Sequence, residues 1–301
     1  MTSANSTTRF HREESVDLLK EFTICESFAR ESSPYAVALA EPRSYGVMVG
    51  DFLAGKGLLK EGAVVCEVGG GYGSLMRGLL EKYGPLVSRV CMVDLSKGLL
   101  HRQRISLKPW LPKVFSVNAD AHGIIDALTG LDLVIVNEVM GDLDTLTGLR
   151  PGSLDGEAAV VGEYGLEIPG EGPFSLNTGA IRLVEAICRR GIPAFLSEHS
   201  CDPVIPADMP WLGEGLALDS FPREIRLHHH SEYTIRFSHL EKVARAFGRK
   251  VETGALLDII PLRKTADLRM IFTMKACCTE RQEILFEFLD HVREYRWMVI
   301  A

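Results

Sequence analysis

Residues 64–80 read Val-Val-Cys-Glu-Val-Gly-Gly-Gly-Tyr-Gly-Ser-Leu-Met-Arg-Gly-Leu-Leu, an apolar strand that runs through a glycine turn into an apolar-periodic helix. Glycines at 69, 71 and 73 let the chain turn sharply and let a ligand lie against bare backbone that side chains would otherwise cover. A second apolar stretch, Val-Cys-Met-Val-Asp-Leu at 90–95, carries an acid, Asp94, at its end. Strand, turn, helix, strand and acid in this order suit a right-handed parallel crossover, which brings Asp94 beside the turn within reach of a ribose diol. Residues 64–95 are therefore expected to form a nucleotide-cofactor pocket.

The glycine spacing and the local charge narrow the cofactor. A dinucleotide fingerprint has glycines at its first, third and sixth positions, and the sixth position counted from Gly69 is Ser74. Glu67, two residues ahead of the turn, would repel a diphosphate and attract a cation. This Gly-x-Gly-x-Gly turn with a leading acid resembles the first motif of class I S-adenosylmethionine-dependent methyltransferases. The resemblance implies that Glu67 reaches the ammonium of S-adenosyl-L-methionine, that Gly69, Gly71 and Gly73 shape the cradle, and that Asp94, with Leu95, holds the ribose. It implies a Rossmann-like α/β fold, a seven-stranded sheet with helices on both faces. An NAD-dependent oxidoreductase and a non-catalytic cofactor-binding assembly protein are the competing classes.

Further strands extend the pattern. Residues 112–120 read as a third strand ending at Asp120. In the methyltransferase resemblance Asp120 and the amide of Ala121 meet the adenine, while a plain turn acid is the alternative. The run Leu131–Val136 suits a central parallel strand covered on both faces. It delivers Asn137 and Glu138 to the carboxyl edge, where ligands of open α/β sheets bind. A fifth strand, 193–197, ends in Glu198 and His199. Asn137 is placed with the cofactor, and Glu138 and His199 are candidate catalytic groups that orient an acceptor or take its proton.

Elsewhere the periodicity predicts an amphipathic helix over about 13–30 (Val16, Leu19, Phe22, Ile24), a further helical stretch over 35–58, and a helix capped by Ser96. Helices are expected near 179–190, after a Ser238 cap and over 279–292, with late strands near 250–260 and 268–276. The chain then divides into an N-terminal helical extension, 1–58, and a methyltransferase domain, 59–301, with loop insertions near 140–178 and 200–232. The extension would either cap the cofactor or pack on the sheet's rim. His228, His229 and His230 are consecutive, so on a strand they cannot all face one ion, and no metal site is expected.

Three segments narrow the resemblance: 67–76, 93–103 and 136–143, with 232–240 as a fourth, look like MidA-like proteins, the protein-arginine methyltransferases tied to complex I assembly. Departures fall on the acceptor side. MidA-like chains usually carry Gly-Pro-Gly in the first turn, where this chain has Gly69-Gly-Gly71. They carry Asp-Ala-Leu-Pro after the Asn-Glu pair, which is absent after Asn137-Glu138, and an Asp-Tyr-Gly turn where Glu198-His199-Ser200 stands. The acceptor is thus a nitrogen or an oxygen, on a protein arginine or a small molecule.

Composition bounds the remaining classes. With 301 residues, 46% apolar, the chain can bury a full core. A net charge of −7 and the lack of a Lys/Arg block argue against nucleic acid, and no apolar run reaches membrane-spanning length. Residues 1–15 are polar and show no secretory core segment, and the seven cysteines form no Cys-x-x-Cys pair. Reduced core thiols in a cytoplasmic protein are expected, with a homodimer admitted.

Overall fold

The protein is described by a computed structural model covering residues 2–14, 17–18, 22–30, 33–152 and 154–301. Seven strands form the central sheet: β1 (Ala63–Val68), β2 (Val87–Asp94), β3 (Val114–Asn118), β4 (Leu133–Asn137), β5 (Ala194–His199), β6 (Val251–Ala255) and β7 (Tyr295–Ile300). Their order is β6-β7-β5-β4-β1-β2-β3. The neighbours from β5 through β4, β1 and β2 to β3 pair in parallel, whereas β7 runs antiparallel to both β5 and β6. The strand order reverses at β1 and β4, so a crevice opens beyond their carboxyl ends.

Side chains of period two explain how the sheet separates two cores. Val65, Met92, Ile135 and Phe195 point to one face, packed under Tyr45–Gly55, Ser74–Tyr83 and Glu280–Val292. Cys66, Val93, Val136 and Leu196 point to the other, packed under Ala121–Ala127, Thr178–Arg190 and Phe237–Ala246. Every residue of β4 is buried, as the uninterrupted apolar run requires.

Several sequence expectations need correction. Residues 266–274 are a helix rather than a strand, since Leu268, Ile271 and Phe272 are buried at helical spacing. The seventh strand is instead Tyr295–Ile300, entirely buried although it contains Arg296. Arg296 is tolerated there because Asp202 lies at 3.2 Å and Glu241 at 2.8 Å. Ser238 does not cap the helix that follows; the amides of Phe237 and Ser238 donate to the carboxylate of Asp202 at 2.9 and 2.8 Å. The expected helix over 13–30 is not continuous, because Phe22 and Thr23 are non-helical and Thr23 caps a four-residue helix, Ile24–Ser27. Val16 and Leu19 lie outside the described residues.

The two irregular stretches carry small elements. Ser3–Asn5 pairs antiparallel with Thr145–Leu149, which pairs with Phe174–Leu176, and Glu224–Arg226 forms a hairpin with Ser231–Tyr233. The amino-terminal chain is thus sewn to the segment after β4, over the crevice. Among the described residues no helix is long and apolar enough to cross a membrane.

Candidate functional site

A cleft lies at the carboxyl ends of β1, β2 and β4, and its walls include Glu67, Gly69, Gly71, Asp94, Leu95, Asp120, Ala121, Asn137 and Glu138. Gly69 has φ +66°, and a Cβ there would come within 2.3 Å of Val139. Gly73, outside the cleft lining, has φ +82° and starts the helix Ser74–Tyr83; its missing side chain lets Gln103 approach. Gln103, fully buried, donates from Nε2 to the Gly71 carbonyl at 3.1 Å and to Asp94 Oδ2 at 2.9 Å, which locks turn and acid together. Its place was hidden in the sequence, because a glutamine inside a helix has no motif of its own.

Two buried acids face each other across the cradle. Glu67 is 2% exposed, and its Oε2 has no hydrogen-bond partner. Burial, with Asp94 nearby, pushes its pKa up to about 8. Asp94 is 6% exposed and accepts from the Ser96 amide at 2.8 Å as well as from Gln103. Burial raises its pKa to about 6 against the pull of those two bonds. A buried carboxylate oxygen without a partner is costly unless a ligand supplies the donor or the positive charge.

Asp120 caps the helix Ala121–Ala127, its carboxylate accepting from the His122 amide at 3.1 Å, while also lining the cleft. The turn acid and the cleft acid are one residue. Asn137 accepts from the Tyr45 hydroxyl at 2.9 Å and donates to Glu138 Oε2 at 3.1 Å.

Glu138 sits at φ +54°, a left-handed conformation that costs a non-glycine residue energy and persists where surroundings enforce it. Its carboxylate receives the Ile24 amide at 2.9 and 3.1 Å, the Cys25 amide at 3.3 Å and the Tyr295 hydroxyl at 3.3 Å. Burial raises its pKa, and these donors pull it back. So many donors make Glu138 a clamp on the amino-terminal segment. Glu138→Gln is expected to weaken that clamp by about 1.5–3 kcal/mol, the worth of charged hydrogen bonds. Faster amide exchange at Ile24 and Cys25 would register it.

The geometry does not bring His199 to the cleft. Its Nε2 is 2.6 Å from Glu294 and its ring stacks on Tyr295, at the β5–β7 end of the sheet. Asp142, an acid the strand-end reading admits beside Glu138, lines the cleft, and so do groups that reading did not reach: Thr7, Thr8, His11, Cys25 and Glu26 from the amino-terminal chain and Asp144 after β4. Burial disfavours a charge on His11, but Asp142 at 2.9 Å, with Asp94 and Glu232 behind it, outweighs burial and raises its pKa. Among the described residues, seven carboxylates and no Lys or Arg line the cleft.

No family model matches the chain, and no curated protein matches it in sequence. Solved structures do match. An uncharacterized protein from Burkholderia thailandensis superposes with a TM-score of 0.57 at 16% identity, over 92% of this chain and 82% of that one. A second member of the same superfamily from that organism, bound to S-adenosyl-homocysteine, superposes with a TM-score of 0.54 at 17% identity, over 91% and 78%. The chain has the class I methyltransferase fold. At such identities the likeness is one of architecture.

Proposed function

We propose that the protein is an S-adenosyl-L-methionine-dependent methyltransferase, with the cofactor in the cleft between β1, β2 and β4. The observation that carries this is the charge of the cleft. Seven acids, one of them Glu67 with a partnerless buried oxygen, surround a space that no described Lys or Arg enters. That excess of acids disfavours a diphosphate there and attracts an ammonium and a sulfonium. The residues fit the group: Glu67 would hold the ammonium, Asp94 the ribose hydroxyls, Asp120 and Ala121 the adenine edge, and Asn137 the wall beside the methyl. The structure bound to S-adenosyl-homocysteine shares this architecture and supports the assignment.

The bound sulfonium supplies an already activated methyl group. The protein's part is then to align an acceptor and lead off its proton. Acids at 26, 138, 142 and 144 favour a cationic acceptor, in keeping with the resemblance to MidA-like arginine methyltransferases. The His11–Asp142 pair, rather than His199, borders the cleft. The amino-terminal segment up to Glu26 acts as a cap, because Thr7, His11 and Cys25 reach the cleft wall, while Tyr45–Gly55 packs on the sheet face.

The deciding measurement is thermal unfolding with each cofactor in turn. S-adenosylmethionine is expected to raise Tm and NADH to leave it unchanged; the reverse result would refute the assignment. Formation of S-adenosylhomocysteine with guanidinium or amine acceptors then separates an enzyme from a binding protein. His199→Ala is expected to leave the S-adenosylmethionine Kd unchanged in calorimetry.

A further inference from the structure

Three side chains from separate parts of the chain converge at the mouth of the cleft. His11 comes from the helix Thr8–Glu13, Asp142 from the turn Met140–Asp142 after β4, and His230 from the residue preceding the strand Ser231–Tyr233. Their ligating atoms all lie within 4.8 Å of one another. His11 Nε2 is 2.9 Å and His230 Nε2 3.6 Å from the same Oδ1 of Asp142.

We infer that His11, Asp142 and His230 form a binding site for a divalent first-row transition ion of the Zn²⁺ class. Metal–ligand bonds of about 2.0–2.2 Å place neighbouring ligands about 3.0–3.5 Å apart around one ion. The two edges at Asp142, 2.9 and 3.6 Å, lie just either side of that spacing, so an ion needs only small side-chain adjustments. Two imidazoles and one carboxylate are a donor set that first-row transition ions favour and that Mg²⁺ and Ca²⁺ do not.

The surroundings are prepared for a cation. Glu232 Oε1 lies 3.2 Å from His230 Nε2, which adds a second carboxylate to the field. The rings are held in place: His230 stacks on Phe10 at 4.2 Å and meets His11 edge-on at 5.7 Å. The Thr7 hydroxyl donates to the Asp142 carbonyl at 2.8 Å and fixes the turn. Such supporting contacts orient ligands in metal sites. Of the three consecutive histidines only His230 takes part, so the objection that neighbouring strand residues face apart does not apply.

The placement gives the ion a role. His11 and Asp142 line the cleft, and an ion with three protein ligands keeps a coordination position free. The ion would pin the amino-terminal helix over the cleft and offer that position to an oxygen of an incoming molecule. This inference stands apart from the choice of cofactor, since it rests on protein ligands alone.

The test uses the full chain, stripped of metal by chelation and dialysis, then titrated with Zn²⁺ by calorimetry and with Co²⁺ by visible absorption. One saturable Zn²⁺ site per chain and a Co²⁺ d–d spectrum are expected, with Mg²⁺ inert. His11→Ala and His230→Ala should each weaken Zn²⁺ binding by more than about 100-fold, since even supporting contacts around a metal are worth about 10–100-fold. The isosteric Asp142→Asn should weaken it too, and covers a His variant that fails to fold. A His228→Ala/His229→Ala double variant should bind as the wild type does. Absence of a saturable site, or Zn²⁺ affinity unchanged in folded variants of the three ligands, would overturn the inference.

Discussion

Glu67→Gln is expected to flatten the pH dependence of stability and to weaken S-adenosylmethionine binding by about 10- to 150-fold, the loss of one charged hydrogen bond. The folded pKa of Glu67 is raised to about 8 from an ordinary value of 4.5. Above the ordinary value the unfolded chain releases the proton while the folded protein still keeps it, so folding becomes costlier as pH rises. The cost accumulates from about pH 4.5 to about pH 8 and stays constant above, reaching an amount on the order of 2–5 kcal/mol. The wild type should thus lose Tm across that window, and the glutamine variant, with nothing to ionise, should lose less. Binding runs the other way. A cationic ligand prefers the ionised acid, so wild-type affinity should climb by up to about tenfold per pH unit towards pH 8 and then level, with a proton released on binding. Calorimetry in buffers of different ionisation enthalpy reads that proton directly. Parallel pH–stability curves for wild type and Glu67→Gln would show that the cradle does not hold a protonated acid.

The second large effect is at Asp94. Its carboxylate is buried and already anchored by Ser96 and Gln103, so in the proposed role it would meet a ribose without an ordering cost at the moment of binding. A hydrogen bond to a charged group is worth about 1.5–3 kcal/mol. Asp94→Ala should weaken S-adenosylmethionine by about 10- to 150-fold. Gln103 keeps the Gly71 carbonyl as a partner, so the turn is expected to survive and the loss to appear in Kd rather than in Tm. An unchanged Kd would remove Asp94 from the cofactor site.

The parts of this site that lie along one crossover were legible in the chain. Glu67, Gly69, Gly71 and Asp94 are adjacent in sequence to the strand and turn that position them, so local pattern and local geometry coincide, whereas Gly73 starts the next helix outside the lining. The same holds for the buried run of β4, which delivers Asn137 and Glu138 to the edge. The late region was less legible. Leu268, Ile271 and Phe272 belong to a helix, and β7 hides a buried arginine whose partners, Asp202 and Glu241, lie far away in sequence. A charge in an apolar segment argues against a central strand until its counter-ions are known.

Local sequence determined the Rossmann-like crossover and the acid-flanked glycine turn, because backbone freedom and side-chain periodicity act over a few residues. Only the tertiary structure decided what the acids at the strand ends do. It turned Glu138 into a clamp for the amides of Ile24 and Cys25, paired His199 with Glu294 away from the cleft, and brought His11 to Asp142. Those outcomes depend on contacts between segments far apart in the chain, such as that between Ile24 and Glu138. No periodicity encodes such contacts, because they arise from how whole elements pack.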